Sequence, residues 1–143
     1  MKKISINKVF PKSKLVGKRD WGEERLLVLI PKVLSLKLLL MKKGKKGNLQ
    51  FHHKINECGY LISGKLRIKY DNGSGKLKTK ILTKGDYFYF PPGLVHQEKA
   101  LSDCKIIEAS SPHFNDRVRV EKKYGLPEIK GLPSTTKKEV LIR

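Results

Sequence analysis

The sequence predicts an all-β, single-domain fold, an antiparallel sandwich or barrel, and three observations predict it. Short stretches rich in leucine, β-branched and aromatic residues recur from residue 25 to residue 110, and a turn signal closes each one. No stretch carries the period of a long helix. The chain has 143 residues and 38% hydrophobic content, enough for one domain whose core needs no disulfide staples.

The elements follow in order. Residues 1–16 read as a leader holding a short strand before Pro11, and a loop is expected at Gly17–Gly22. Arg25–Ile30 is the first barrel strand, stopped by Pro31, and Val33–Met41 is the second, stopped by Lys42-Lys43-Gly44. Asn48–His53 and Gly59–Ser63 come next, and Gly64 turns the chain into Lys65–Tyr70. Asp71-Asn72-Gly73-Ser74-Gly75 is the clearest hairpin turn, because Asn and Gly accept positive φ. Lys76–Leu82 returns from it, and Lys84-Gly85-Asp86 turns into Tyr87–Phe90, whose residues alternate around the wall with one tyrosine available to the interior. Pro91-Pro92-Gly93 forces a loop, and Val95–Leu101 and Cys104–Ser110 close the series. The barrel is therefore expected over residues 17–125. Residues 126–143 form a C-terminal tail, an arm whose Val140-Leu141-Ile142 can dock on the barrel or on a neighbouring subunit.

Composition narrows the function classes. No apolar run approaches the roughly 20 residues that span a bilayer, and no apolar signal-peptide core follows Met1-Lys2-Lys3-Ile4. The expectation is a cytoplasmic protein with no membrane partner. Cys58 and Cys104 lie far apart without C-x-x-C spacing, which argues against a zinc ribbon and for two reduced, mostly buried thiols. The net charge is +19, from 32 Lys plus Arg against 13 Asp plus Glu. That excess suggests nucleic acid, but it is dispersed lysine, and arginine, the residue suited to bidentate phosphate and base contacts, is scarce. With no finger, helix-turn-helix or basic heptad pattern, nucleic acid is not the expected partner. A basic surface that draws in small anions fits the same composition.

One constellation carries chemistry. Alternate strand residues share a face, so Gln50 and His52 project together with Lys54 next along, while Phe51 and His53 point away. Glu57 returns to the same cavity after a short bend, and His96 follows the Pro-Pro-Gly loop. Two imidazoles, a carboxylate and an amide oxygen form a ligand set for one divalent metal ion: Zn, Mn, Ni, Co or Fe.

These residues resemble a known family. Gly44, Gln50, His52, Glu57 and Gly64 keep the spacing of the first cupin motif, G-x5-H-x-H-x3,4-E-x6-G. Gly85, Pro91, Gly93 and His96 keep that of the second, G-x5-P-x-G-x2-H-x3-N. Gln50 stands at the usual first histidine and Ala100 at the usual final asparagine. A competing register would put His53 in the second histidine position and Phe51 in the first, losing Gly44 and gaining no ligand; the Gln50/His52 register is the one adopted. The resemblance implies a cupin jelly-roll barrel, a double-stranded β-helix, that pairs as a homodimer. Leu49-Gln50-Phe51-His52-His53-Lys54, together with Trp21-Gly22-Glu23-Glu24 and Ser111-Pro112-His113-Phe114-Asn115-Asp116, is similar to the cupin sugar-phosphate isomerases of the mannose-6-phosphate isomerase type. In that group Gln, two His and Glu are the metal ligands.

The resemblance implies a small sugar-like or anionic substrate and an aldose–ketose isomerase-like reaction, with the metal stabilising an enediolate and a base moving a proton. Lys54 is the candidate catalytic residue, and Lys37 and Arg67 are candidate phosphate partners. Trp21 covers one end of the barrel or stacks on a sugar, and His113 is read as structural. Two other classes stay open: a non-haem metal oxygenase of a small organic acid, and a small-ligand binder without turnover.

Overall fold

The computed structural model describes residues 14–143, so the strand expected before Pro11 lies outside the described residues. The strands are β1 (Lys14–Arg19), β2 (Gly22–Ile30), β3 (Leu34–Met41), β4 (Gln50–Phe51), β5 (Glu57–Ser63), β6 (Leu66–Asp71), β7 (Lys78–Leu82), β8 (Tyr87–Phe90), β9 (Val95–Ala100), β10 (Cys104–Ser110), β11 (His113–Phe114), β12 (Val118–Arg119) and β13 (Leu141–Ile142). Single 3-10 turns at Lys122–Tyr124 and Lys137–Glu139 are the helical segments among the described residues. No helix there is long and apolar enough to cross a membrane.

Two antiparallel sheets face each other. One runs β1-β2-β3-β10-β5-β8 and the other β12-β4-β9-β6-β7, with β11 and β13 pairing separately. Alternation writes the interior: in β10, Cys104, Ile106, Glu108 and Ser110 point inward while Lys105 and Ala109 face solvent. In β5, Glu57, Gly59 and Leu61 are the inward row. The main core packs Leu39, Met41, Leu61, Leu66, Ile68 and Phe88 with their neighbours from both sheets, and each fully buried leucine contributes about 1.5–3 kcal/mol. Gly59 is required by a close approach, since a Cβ there would meet the Phe88 ring at 2.0 Å. Gly64, at φ +97°, makes the β5–β6 turn beneath the Asp103 carbonyl.

Four expectations are corrected. The loop expected at Gly17–Gly22 is a hairpin, with β1 pairing along β2 and an irregular register at Leu15/Gly17. The strand expected over Asn48–His53 shrinks to Gln50–Phe51, because the chain then bends so that the backbone N–H groups of His53, Lys54 and Ile55 all donate to the Asp116 carboxylate. Tyr87 and Tyr89 both face solvent, while Phe88 and Phe90 take the inward positions. Cys104 is buried, but Cys58 is exposed, and both are free.

The tail docks on the barrel. Leu141–Ile142 pairs with His113–Phe114, and the Arg143 N–H donates to the Pro112 carbonyl. A smaller core of Leu49, Val95 and Val120 with Phe51, Tyr124 and Leu126 covers the outside of the second sheet. There the Tyr124 hydroxyl donates to Asp71 at 2.5 Å.

Candidate metal centre

The barrel interior opens into a cavity of about 240 Å³ lined by Gln50, His52, Glu57 and His96, with Trp21, Lys37 and His113 further out. A larger groove of about 750 Å³ beside Tyr87 and Ile81 is shallow and holds none of these groups. Gln50 sits directly opposite His96 in the β4–β9 ladder, so both side chains enter from the same sheet. Glu57 enters from the facing sheet at the start of β5.

Three ligating atoms converge. His52 Nε2 lies 3.3 Å from Glu57 Oε1, and His96 Nε2 lies 3.2 Å from the same oxygen. His52, Glu57 and His96 are buried, at 7%, 8% and 2% exposure. Each imidazole is oriented from behind: His52 Nδ1–H donates to the Asp116 carbonyl at 2.5 Å, and His96 Nδ1–H to the Leu94 carbonyl at 2.9 Å. A carbonyl only accepts, so both Nδ1 atoms carry the hydrogen, and in the neutral rings both Nε2 atoms present lone pairs. Phe90 stacks on His96 with centroids 4.0 Å apart and fixes the ring plane.

Two nitrogen lone pairs aimed at a carboxylate oxygen repel one another unless a proton or a cation lies among them. The donor set therefore fits a divalent metal of the nitrogen- and oxygen-preferring kind. The metal-free electrostatics express the same demand. Burial works against charging His52, but the hydrogen bond and charge of Glu57, with the Asp116 carbonyl, outweigh it and raise its pKa. Burial likewise pushes the Glu57 carboxyl up, and the hydrogen bonds from His52 and His96 pull it below the usual carboxylate range.

The cavity holds two further carboxyl groups that the sequence reading did not single out. Ligating oxygens of Glu57, Glu98 and Glu108 come within 4.8 Å of one another. Burial, with the charge of Glu57 adding to it, raises Glu98 to about 7. Burial and the charges of Glu57 and Glu98 raise Glu108 well above its ordinary value. Both were open to discovery by strand alternation: Glu98 is two residues from His96 on β9, and Glu108 lies in the inward row of β10. Asp116 was also missed as the organiser of the 52–55 bend; it sits in an irregular stretch where no periodicity signals it.

The remaining candidates divide. Lys54 is exposed and does not line the cavity, which corrects the expected shared face: the strand ends at Phe51, so alternation does not extend to residue 54. Lys37 does line the cavity, with its ammonium held 3.0 Å from Glu24. Arg67 alternates with the inward Leu66 and Ile68 and stays outside the cavity, its Nε buried without a partner among the described residues. His53 turns away from the centre, its Nε2 3.1 Å from the Thr135 carbonyl. His113 borders the cavity and pairs with Ser111 at 2.9 Å.

Comparisons with known proteins bear on the family and the fold. A family model described as Cupin domain matches residues 37–110, just over half of the chain. An oxalate decarboxylase of Arthroderma benhamiae is 27% identical over 84 residues, 58% of this chain and 20% of that protein. The structure of KdgF from Halomonas sp. superposes with a TM-score of 0.65 at 18% identity, over 76% of this chain and 94% of that one. Oxalate decarboxylase of Bacillus subtilis, a protein with Mn(II) centres, superposes with a TM-score of 0.62 at 22% identity, over 76% of this chain and 30% of that one. The chain spans no more than 24% of the length of the curated relatives it matches.

Proposed function

The chain belongs to the cupin family, and from that premise we propose that it is a divalent-metal cupin whose centre binds and transforms a small, oxygen-rich compound of the sugar or sugar-phosphate class. The observation that carries this reading is the convergence of His52 Nε2, His96 Nε2 and Glu57 Oε1, where the neutral imidazoles and the ionised carboxylate leave only lone pairs facing one another. Gln50, His52, Glu57 and His96 are the residues that would hold the ion, and its contribution when bound is Lewis acidity toward adjacent carbonyl and hydroxyl oxygens.

The protein's own groups do the rest. The Asp116 and Leu94 carbonyls keep both imidazoles in one tautomer and one orientation. Glu98, raised to about 7, can carry a proton beside the centre and return it to a bound substrate, and Glu108, raised well above its ordinary value by burial, adds a second carboxyl group there. The low exposure of His52, Glu57, His96 and Glu108 keeps bulk water away from the reacting oxygens. Gln50 in the position usually held by histidine supports the isomerase-type chemistry within this class.

A second reading, action on a small organic acid, is favoured by the matched oxalate decarboxylase of Arthroderma benhamiae. One experiment separates them. Metal-stripped protein is reloaded with Zn, Mn, Ni, Co or Fe, and each form is assayed for aldose–ketose interconversion of hexose phosphates and for consumption of oxalate and of oxygen. Metal-dependent interconversion supports the first reading, and oxalate or oxygen consumption supports the second. Turnover that survives metal removal contradicts both.

A further inference from the structure

The mouth of the cavity carries a second set of charges that the metal centre does not use. Arg19 on β1, Arg117 between β11 and β12, and Lys130 on the returning tail all line it. Their compensation is incomplete. Glu24 serves two cations at once, with Oε2 3.1 Å from Arg19 Nη2 and Oε1 3.0 Å from Lys37 Nζ. Among the described residues the Arg117 guanidinium donates to neutral acceptors, the Pro133 carbonyl at 3.0 Å and the Asn115 side-chain oxygen at 3.1 Å. Among the described residues no carboxylate forms an ion pair with Arg117 or Lys130. Asp116, the buried carboxylate beside them, accepts three backbone N–H groups and, like Glu24 and Glu139, acts on Arg117 through its charge without an ion-pair contact; Asp20 at the rim is exposed.

Two glycines leave room for this arrangement. A Cβ at Gly17 would lie 2.2 Å from Arg19 Nη1, in the space the guanidinium occupies beside Glu24. A Cβ at Gly131 would lie 2.1 Å from the Asn48 side-chain oxygen, so glycine lets the tail pass close enough to bring Lys130 to the rim. Burial and the neighbouring charge of Arg19 together lower the Arg117 pKa, as expected of two guanidiniums that share a site.

We propose that Arg19, Arg117 and Lys130 form an oxyanion subsite at the cavity mouth, which binds the carboxylate or phosphate of a small ligand whose opposite, oxygen-bearing end reaches the Gln50/His52/Glu57/His96 floor. The ligand class is a sugar acid or sugar phosphate, with one anionic tail and one uncharged polyol or carbonyl head. The subsite rests on the proposed function for the identity of the head, but its own chemistry is independent of the metal. An arginine held by neutral acceptors keeps its charge and spare N–H groups for an incoming oxyanion.

Trp21, the single tryptophan of the chain, lines the same cavity, so its emission reports occupancy directly. The full-length protein, with and without divalent metal, is titrated with inorganic phosphate, glucose 6-phosphate, glucuronate and glucose. Saturable, salt-sensitive responses to phosphate and to at least one of the two sugar anions are expected, with glucose far weaker. Preference for glucose 6-phosphate over glucuronate assigns the tail as phosphate, and the reverse assigns it as carboxylate. Arg117→Gln should weaken binding about tenfold or more, with Arg117→Lys restoring part of the loss. Lys130→Gln, at an exposed position, should weaken it about threefold and decides the matter if Arg117→Gln does not fold. Unchanged affinity in these variants, or no saturable phosphate binding, overturns the subsite. His52→Ala tests the other end: phosphate binding that persists in a variant that has lost its metal upholds the subsite, whatever becomes of the metal reading.

Discussion

The two ends of the cavity are built by different means. Three of the four floor residues stand on paired strands: Gln50 faces His96 across β4 and β9, and Glu57 is locked between Phe90 and Ser110 in the first sheet, while His52, just past β4, is held by the Asp116 carbonyl. The mouth comes from a hairpin edge, an irregular stretch and a returning tail, held by side-chain bonds to backbone carbonyls such as Arg117 to Pro133 and Arg119 to Ile129. A floor on paired strands is preorganised for a metal, which demands fixed geometry. A mouth on loops tolerates substitution and can set which ligand enters.

If that division holds, damage to the floor has the largest effects. His52→Ala and His96→Ala should each reduce divalent-metal retention by about a hundredfold or more, because each removes a ligand outright. Equilibrium dialysis with elemental analysis measures it. Retention at the wild-type level would move the site elsewhere.

Asp116→Ala comes next, because Asp116 joins the two regions. It leaves the N–H groups of His53, Lys54 and Ile55 without their acceptor, a loss of about 3 kcal/mol. Thermal denaturation should show a fall of roughly 10 °C, accompanied by weaker metal retention as the bend carrying His52 loosens.

The pH dependence of the metal-free protein sharpens the contrast further. Glu98, raised to about 7, and Glu108, also raised, bind protons more tightly folded than unfolded. Each stabilises the fold most below its ordinary carboxyl pKa, and that stability is lost as pH rises toward the folded value. His52, also raised, acts in the same direction: its contribution is full below its ordinary value near 6.5 and is lost as pH rises through the folded value. Glu57, lowered, acts oppositely, and its contribution is lost only on stronger acidification. Chelator-treated protein should therefore melt at a higher temperature near about pH 5.5 than near about pH 7.5. Added metal should raise the melting temperature more at the higher pH, where the ion meets less competition from protons. A metal-free melting temperature that rises steadily from the lower to the higher pH would break this account of the floor.

The smallest effect is expected at Lys54. It is exposed and outside the cavity, so Lys54→Ala should change metal retention and ligand affinity less than about twofold. A large loss in a binding titration would restore it to the site.

The same contrast explains what was legible in advance. Strand alternation and turn chemistry reveal the barrel because both are local: the Asn72-Gly73 turn does join β6 to β7, and the two histidines and Glu57 meet as their spacing implies. Alternation misled at Lys54 because it cannot report that a strand stops after Phe51, a stop set by Asp116 more than sixty residues away. The hairpin through Gly17 was hidden because glycine reads as a loop signal, yet Gly17 and Gly22 both lie within the paired β1–β2 ladder. Arg117 and Lys130 carry no pattern of their own. Only the path of the tail, anchored by β13 on β11 and by Thr135 on Arg117, brings them to the cavity.

The most direct test of the metal centre is a crystal structure of the protein equilibrated with Mn or Zn, with anomalous data collected at the metal edge. The expected result is one ion about 2.0–2.3 Å from His52 Nε2, His96 Nε2 and a Glu57 oxygen, with the Gln50 amide oxygen turned toward it. An ion bound through His53, or no ordered ion in the cavity, would contradict the account.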